Sequence, residues 1–313
     1  MRSMTQLATI NASGESGRRF PNTFGETHKL VDASTAQRKE SQLSELLHEM
    51  GSVLVSFSGG VDSSYLLQVA HRTLGPCAVA ATGLSQTYAQ EEMDEARVVA
   101  NDIGAEHVFV DTAELTDPRY ADNTHQRCFF CKSELYSRLR EFADSRGLQH
   151  VIDGSNIDDL DDFRPGMRAA RELGVRSPLQ EVGLTKAEIR FRSECLGLRT
   201  WDKPAMACLS SRFAYGDPIT VAKLRQVAAA ESAMRNLGFS GFRVRHHDEI
   251  ARLEIPRDQF ARALERAEEL VDAVCGAGYR HTVLDLAGYR SGSSNEVLNA
   301  RLKSRGLRSS GAL

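Results

Sequence analysis

The chain lacks the sequence features of a membrane or secreted protein. No apolar run approaches the ~20 residues needed to span a bilayer, and the first twenty residues contain no signal-peptide apolar segment. An excess of positive charge is also missing, since the formal net charge is −3 over 313 residues. We therefore expect a cytoplasmic protein without a membrane partner, and the overall charge favours no nucleic-acid partner.

Cysteines are too few for a disulfide framework in an intracellular chain of this length. The six present are more typical of reduced thiols, metal ligands or catalytic groups. Cys77 and Cys195 fall in apolar strand and helix patterns, and Cys275 lies near a predicted helix end. These three are predicted to be core thiols.

A glycine- and hydroxyl-rich loop stands between an apolar strand pattern at 53–57 and an apolar helix pattern from 65 onward. The loop reads Ser58-Gly59-Gly60-Val61-Asp62-Ser63-Ser64. Paired glycines let the backbone approach a polyanion, and the N-terminus of the next helix attracts phosphate. The lysine that ends a Walker A loop is absent, which excludes the usual NTPase loop. The alternative is a glycine turn before a buried helix.

The first two thirds of the chain alternate between strand and helix patterns. Strands are predicted at 53–57, 77–82, 107–111 and 150–153, and helices at about 37–50, 61–74, 88–103, 131–146, 166–174 and 185–196. The last helix opens on a capping box, Thr185 to Glu188. This order predicts an α/β domain over 35–207, with a parallel sheet and helices on both faces.

The remaining third predicts a smaller α+β domain over 208–290. A helix near 218–237 precedes a hairpin of strands 242–246 and 250–255, a helix at 257–273 and a last strand at 279–286. Residues 1–34 are predicted to be a flexible extension because Ser, Thr, Asn and Gly dominate them. Residues 291–313 are predicted to be a flexible tail, solvated or, alternatively, in contact with nucleic acid.

Polar residues follow the other predicted strands, where an open parallel sheet binds its ligand. The segment Gly83-Leu84-Ser85-Gln86 is a candidate adenine edge, and Gly154 opens the segment that contains Asp158 and Asp159. The paired acids could hold Mg²⁺ or position a ribose. Alternatively, they cap a helix.

Three cysteines form a second candidate site. Cys128 and Cys131 lie on one turn at the start of a predicted helix, so they can ligate one metal or cluster. Cys208 lies in a loop between the domains, and nearby Arg212 would favour its reactive thiolate. Structural zinc needs four ligands as a rule, and His125 could be the fourth.

Several long motifs together resemble those of the LarE family, ATP-dependent sulfur transferases of the nickel-pincer nucleotide pathway, whose product serves lactate racemase. The resemblance covers about residues 37 to 290, and the family's loop is that of ATP pyrophosphatases, which form AMP and pyrophosphate. The matching segments, in the family's order, are 58–64, 127–132, 154–159, 162–166, 177–179, 208–216 and 242–247.

The resemblance implies that each carboxylate of a pyridinium dicarboxylate mononucleotide is adenylylated and then converted to a thiocarboxylate. It places ATP, with Mg²⁺, at Ser58, Gly59, Gly60, Asp62, Ser63 and Ser64, with Gly83, Gly154 and Asp158 nearby. Arg243 and Arg245, on one face of a strand, would clamp the substrate phosphate with Ser211 and Arg212, and Glu231 and Glu254 would line the sulfur-transfer pocket. Without the resemblance, Arg243 and Arg245 fit a solvated strand face.

The resemblance also implies a source of sulfur. Members with only the equivalent of Cys208 surrender its sulfur once, whereas members with three cysteines assemble a 4Fe-4S cluster that leaves one iron open for a transferable sulfide. Because this chain has Cys128, Cys131 and Cys208, it predicts the cluster type. The family also suggests a homo-oligomer.

Three rival functions stay open. A tRNA thiolase can share the loop and a three-cysteine cluster, although the acidic net charge and the lack of an evident RNA-binding appendage disfavour it. A non-enzymatic ATP sensor could hold structural zinc on Cys128, Cys131 and His125. An amidating synthetase would use the same loop, but no glutaminase nucleophile motif is apparent.

Overall fold

The computed structural model describes residues 31–85, 87, 90–161, 165–204 and 207–290. The first unit is built on a four-stranded sheet whose strands run parallel in the order β3-β2-β1-β4. The strands are β1 (Val53–Ser56), β2 (Ala78–Leu84), β3 (Glu106–Asp111) and β4 (His150–Ile152). Because all four strands point the same way, their carboxyl ends share one edge of the sheet.

Helices cover both faces of this sheet. They are α1 (Ala33–Met50), α2 (Val61–Leu74), α3 (Gln90–Ile103), α4 (Pro118–Ala121), α5 (Arg127–Ser145), α6 (Pro165–Glu172), α7 (Pro178–Glu181) and α8 (Lys186–Cys195). Side chains alternate along β1, so Val53 and Val55 pack into a core with α1, α2, α3 and α8, whereas Leu54 packs against α5 and α6. The predicted doubly covered parallel sheet is confirmed.

The second unit is a three-stranded mixed sheet with helices on one side. Its elements are α9 (Val221–Asn236), β5 (Arg243–His247), β6 (Ile250–Glu254), α10 (Phe260–Glu265), α11 (Ala267–Gly276) and β7 (His281–Leu284). Strands β5 and β6 form the predicted antiparallel hairpin, and β7 joins β6 in parallel. Val244 of β5 packs with Met234 of α9 and Val274 of α11, which gives this unit its own apolar core.

A smaller apolar cluster joins the two units. Tyr120 of α4 packs with Leu209 and Phe213 of the connecting segment and with Leu224 and Val227 of α9. The segment that carries Cys208 is therefore held between the parallel sheet's unit and the C-terminal unit.

Some element boundaries differ from the prediction. Helix α1 begins at Ala33 rather than near Gln37, because the Asp32 side chain accepts the Ser34 amide as an N-cap. The single helix predicted over 257–273 is instead a 3-10 turn followed by α10 and α11, which are separated at Arg266. Residues 1–30 and 291–313 lie outside the described residues. No helix within the described part of the chain has the length and apolarity to cross a bilayer.

Candidate active site

The glycine- and hydroxyl-rich loop, residues 58–64, runs from the carboxyl end of β1 into the first turn of α2, as predicted. Gly59 has a φ of +65°, and a Cβ there would lie 2.9 Å from the Cα of Ala96 on α3. Gly60 is the N-cap residue of α2. The loop thus needs glycine at position 59 both for its backbone conformation and for its contact with α3.

The serines of the loop bond weakly to one another. The Oγ atoms of Ser58 and Ser63 lie 3.2 Å apart, and Ser63 Oγ donates to the Gly60 carbonyl at 3.3 Å. These distances are long for hydroxyl hydrogen bonds. Ser64 is fully buried, and its Oγ has no hydrogen-bond partner among the described residues. The Ser58 and Ser63 hydroxyls can exchange these long contacts for phosphate oxygens at small cost, whereas a phosphate contact of the buried Ser64 stays a prediction.

Two glycines, Gly83 near the end of β2 and Gly154 just after β4, lie where neighbouring atoms leave no room for a side chain. A Cβ on Gly154 would lie 3.0 Å from the Ser63 amide nitrogen and 3.2 Å from the Asp62 carbonyl carbon, so the segment after β4 presses on the phosphate loop. A Cβ on Gly83 would lie 2.8 Å from Leu135 of α5. Gln86, the other end of the candidate adenine edge, lies outside the described residues.

The paired acids after β4 act within the protein as hydrogen-bond acceptors. Asp158 accepts the backbone amide of Lys186, the first residue of α8, at 2.7 Å. Asp159 accepts the amide of Asn156 at 2.9 Å. This geometry matches the helix-capping alternative for Asp158, and its contact with Mg²⁺ or ribose stays a prediction.

Two lysines that the sequence analysis did not single out reach the phosphate loop. Lys186 Nζ forms an ion pair with Asp62, whose other oxygen accepts from Asn156 Nδ2 at 3.3 Å. Lys203 Nζ donates to the Gly59 carbonyl at 3.0 Å and pairs with Glu95 at 2.9 Å. The only sequence signal for these lysines was that residues 58–64 lack a Walker lysine, so that a positive charge facing phosphate has to come from another segment of the chain.

The segment carrying Cys208 is fixed to the start of α5, where Cys128 and Cys131 occupy the first helical turns. The buried Arg127 guanidinium donates to the Ser210 carbonyl at 2.7 Å and also to Asn123. Tyr120 and Ser210 share a hydroxyl hydrogen bond. Because Arg127 precedes Cys128 and Ser210 follows Cys208 closely, these bonds bring Cys208 towards the cysteine pair.

Cys208 affects the ionisation of both thiols at the start of α5. Desolvation and the neighbouring Cys208 raise the pKa of Cys128, while Arg127 opposes the rise. Desolvation, Glu114 and Cys208 raise the pKa of Cys131 far above its ordinary value. Both thiols therefore hold their protons at neutral pH unless a cation is bound nearby.

Nothing in the described part of the chain gathers three His, Cys, Asp or Glu side chains closely enough for a single metal ion. His125 is exposed, one turn ahead of the cysteine pair. The geometry thus gives no support to the structural-zinc alternative. The same holds for Cys128, Cys131 and Cys208, whose shared part in a cluster stays a prediction.

A buried ion pair lies directly behind Cys208. Arg212 Nε and Nη2 donate to the two carboxylate oxygens of Glu231, each at 2.8 Å, and both side chains are almost fully buried. Arg212 Nη1 also donates to the Cys208 carbonyl at 3.1 Å. Burial alone would raise the pKa of Glu231, but the Arg212 guanidinium and the Val244 amide hold it below its usual value. Glu231 is therefore ionised, and it fixes the Arg212 guanidinium beneath the Cys208 backbone.

The predicted arginine pair continues this network. Arg245 donates to the Ser211 carbonyl at 2.7 Å and to Glu254 at 2.8 Å. Arg243 lies on the same strand face, with its guanidinium 5.1 Å from the Tyr289 ring centroid. Burial and then Arg212 lower the pKa of Arg243, which reports crowding of positive charge. The structure thus brings together the residues predicted for this site, which are Ser211, Arg212, Glu231, Arg243, Arg245 and Glu254. Because Arg243 is half-buried and Arg245 is buried, the alternative of a solvated strand face is wrong.

The phosphate loop and the arginine network lie on the same edge of the sheet. Leu209, next to Cys208, donates its amide to the Thr87 carbonyl just beyond the end of β2 at 2.9 Å. Glu92 of α3 interacts electrostatically with Arg212, Glu231 and Lys203. Lys203 also donates to the Gly59 carbonyl, so Glu92 and Lys203 lie between the arginine network and the phosphate loop.

The prediction of three core thiols was wrong. Cys77, Cys195 and Cys275 are all exposed. Cys77 ends a 3-10 turn before β2, Cys195 is the last residue of α8, and Cys275 lies in the last turn of α11. Each lies at the end of its element, where an apolar pattern no longer implies burial.

Comparison with known proteins decides the family. The asparagine synthase family model matches residues 40–134, which include the phosphate loop. An uncharacterized protein of Synechocystis sp. is 44% identical over 84% of this chain and 98% of its own length. The pyridinium-3,5-bisthiocarboxylic acid mononucleotide synthase of Lactiplantibacillus plantarum is 37% identical over 85% of this chain and 96% of its own length. The chain belongs to the LarE family.

The LarE family accounts for the architecture described above. Membership makes the chain an ATP-dependent sulfur transferase with a phosphate loop of the ATP pyrophosphatase type. A more distant relative, an uncharacterized protein of Methanocaldococcus jannaschii, is 26% identical over 76% of this chain.

Proposed function

We propose that this LarE-family protein converts the two carboxylates of a pyridinium dicarboxylate mononucleotide to thiocarboxylates at the expense of ATP. The observation that carries the proposal is the attachment of the Cys208 segment to the start of α5 and to the end of β2. This attachment directs a sulfur-bearing segment to the same sheet edge as the phosphate loop.

The first chemical step is adenylylation. A substrate carboxylate oxygen attacks the α-phosphorus of ATP, the bond from that phosphorus to the bridging oxygen breaks, and pyrophosphate leaves. The amides at the start of α2 and the hydroxyls of Ser58 and Ser63 can stabilise the leaving pyrophosphate as its charge develops. The resulting acyl-adenylate is a much better electrophile than the carboxylate.

Substrate binding is assigned to the arginine network. A mononucleotide phosphate would bind at Arg243 and Arg245 with Ser211, the pairing for which guanidinium geometry is suited. Glu231 and Glu254 hold Arg212 and Arg245 in place, which supports a preformed anion site. Burial and then the neighbouring Arg212 lower the pKa of Arg243, and an anion there would offset the effect of Arg212.

The donor set fits an iron–sulfur cluster. Cys128 and Cys131 lie three residues apart at the start of α5, to which Arg127 holds the Cys208 segment through the Ser210 carbonyl. When bound by these three cysteines, a 4Fe-4S cluster would supply an open iron for the transferable sulfide. The protein's own part is to hold the thiols: Cys131 packs against the apolar cluster of Tyr120, Leu209 and Phe213, while Cys128 is exposed.

Mg²⁺ is expected to arrive with ATP. Because this ion keeps several waters and binds through phosphates and one or two carboxylates, it needs no three-carboxylate site. Asp62, in the first turn of α2, is the carboxylate best placed for it, and Asp158 is a second candidate.

The deciding experiment is anaerobic reconstitution with iron and sulfide, followed by absorption spectroscopy and turnover counting with the dicarboxylate nucleotide. Replacing Cys128, Cys131 or Cys208 with Ala should abolish both cluster absorbance and multiple turnover. The exposed Cys275→Ala variant is the matched control and should retain both. A wild-type protein that stops after one turnover while losing the Cys208 sulfur would instead be a sacrificial donor.

A further inference from the structure

The phosphate loop of this protein lacks a lysine of its own, yet it is contacted by two lysine side chains from the far end of the unit. Lys186 is the first residue of α8, and Lys203 lies in the loop that follows that helix. Their ammonium groups reach Asp62 and the Gly59 carbonyl, respectively. Both ends of the loop therefore have a positive charge that the local sequence does not provide.

One helix positions both ammonium groups. Thr185 and Glu188 form a capping box that fixes the first turn of α8, where Lys186 begins. One turn later, Arg190 donates to the carbonyls of Trp201 and Lys203, each at 2.8 Å. Lys186 and Arg190 are four residues apart, so they share a face of the helix.

The two lysines differ in the contacts that their ammonium groups already make and in how exposed their side chains are. Lys203 Nζ contacts both Gly59 and Glu95, and its side chain is only 10% exposed. Lys186 is 32% exposed, and its ion-pair partner, Asp62, is also held by Asn156. Lys186 can therefore turn to an arriving anion without leaving the Asp62 carboxylate unbonded, whereas Lys203 acts as a positioning residue for the loop backbone.

We propose that Lys186 is the phosphate-binding cation of this loop, and that it exchanges its contact with Asp62 for the β- and γ-phosphates of ATP. The ammonium would then neutralise the pyrophosphate as it leaves, in the role that a Walker lysine has at its own loop. The inference rests on the proposed function only in taking ATP as the ligand of residues 58–64.

The test measures binding by calorimetry in the full-length protein, with inorganic pyrophosphate, a non-hydrolysable ATP analogue and AMP as separate ligands. Lys186→Met should weaken binding of pyrophosphate and of the ATP analogue by about 10- to 100-fold, the usual scale for one lost charged hydrogen bond. AMP lacks the β- and γ-phosphates, so its affinity should not change. Lys186→Arg should restore most of the loss.

Lys223→Met is the matched control, because Lys223 is 28% exposed and pairs with Asp248 in the other unit. It should bind all three ligands as wild type does. Unchanged binding of pyrophosphate by Lys186→Met, or an equal loss of AMP and ATP binding, would overturn the role of Lys186 alone. A wild-type protein that binds none of the three ligands would overturn the proposed function together with this inference.

Discussion

At the scale of single residues, the site depends on side chains and glycines that tolerate little change. Gly154 is the clearest case, because the atoms nearest to its missing Cβ belong to the backbone of Asp62 and Ser63. Backbone atoms cannot move aside as a flexible side-chain end can. The phosphate loop is therefore shaped partly by a residue far from it in sequence.

Gly154→Ala should displace the phosphate loop and weaken ATP binding by at least tenfold, with a small loss of stability. The added methyl group must push against the Ser63 amide at 3.0 Å. Calorimetric titration with ATP and a thermal melt check both effects. Gly276→Ala, at a helix position with open space around it, is the control and should change neither.

Glu231→Gln should destabilise the fold by about 3–5 kcal/mol, because it removes one partner of a buried ion pair. The Arg212 guanidinium would lose a bidentate carboxylate in a site where both side chains are at most 4% exposed. Denaturant unfolding measures the loss. The exposed pair of Arg266 and Glu269 offers the comparison, since Glu269→Gln should alter stability by less than about 0.5 kcal/mol.

At the scale of elements, the edge strand β3 holds a neutral histidine against β1 and β2. His107 bonds to the Thr82 hydroxyl at 2.8 Å and packs between Phe57 and Phe109. Desolvation, with a smaller effect of Arg97, lowers the pKa of His107 from 6.5 to about 4. Protonation of this ring therefore lowers the free energy of unfolding.

The sign of the pH dependence follows from the lowered His107 pKa. Between pH 6.5 and about 4, His107 binds a proton in the unfolded chain but not in the folded chain. The contribution of neutral His107 to the free energy of unfolding is therefore fully present above pH 6.5 and is lost as the pH falls. The full shift corresponds to about 3 kcal/mol, and solvent screening of the partly exposed ring reduces the expected loss to roughly 1–2 kcal/mol. Denaturant unfolding at several pH values measures the effect. The free energy of unfolding should depend less on pH in this range for His107→Gln than for wild type, whereas the variant at the exposed His281, His281→Gln, should follow wild type. Equal slopes for all three proteins would contradict the assignment.

Element boundaries show where local sequence patterns stop being informative. The capping box of α8 and the hairpin of β5 and β6 depend on neighbouring residues, and both form as predicted. No proline or glycine lies at the break between α10 and α11 at Arg266, so the local sequence does not predict it. Exposed Cys77, Cys195 and Cys275 were misassigned for the related reason that burial at an element's end depends on what packs there.

At the scale of the whole molecule, the site exists because the connecting segment 207–219 folds back over the first unit. Asn123 donates to the Ala214 carbonyl at 2.6 Å, and the Gly216 amide donates to Asn123 at 3.0 Å. Together with Arg127 and Tyr120, these contacts bind the segment to α4 and α5. The second unit then brings Glu231 and Arg245 against it.

A short thiol-specific cross-linker should join Cys208 to Cys128 or Cys131 in the apoprotein. The reason is that Arg127 and Tyr120 hydrogen-bond to Ser210 and so hold the Cys208 segment against the start of α5. Mass spectrometry of proteolytic fragments identifies the linked peptides, and Cys77 and Cys195 serve as exposed controls that should stay unlinked to Cys208. Failure to link Cys208 to either thiol would leave the three-cysteine cluster without a basis.

The order of strands and helices and the phosphate loop could be predicted from the amino-acid sequence, because each is encoded in residues that are neighbours along the chain. The contacts of Lys186 and Lys203 with the loop, of Glu231 with Arg212 and of Arg127 with the Cys208 segment are visible only in three dimensions. Those contacts join residues from separate elements, and their geometry is set by how the two units pack. No periodicity or short motif records that packing.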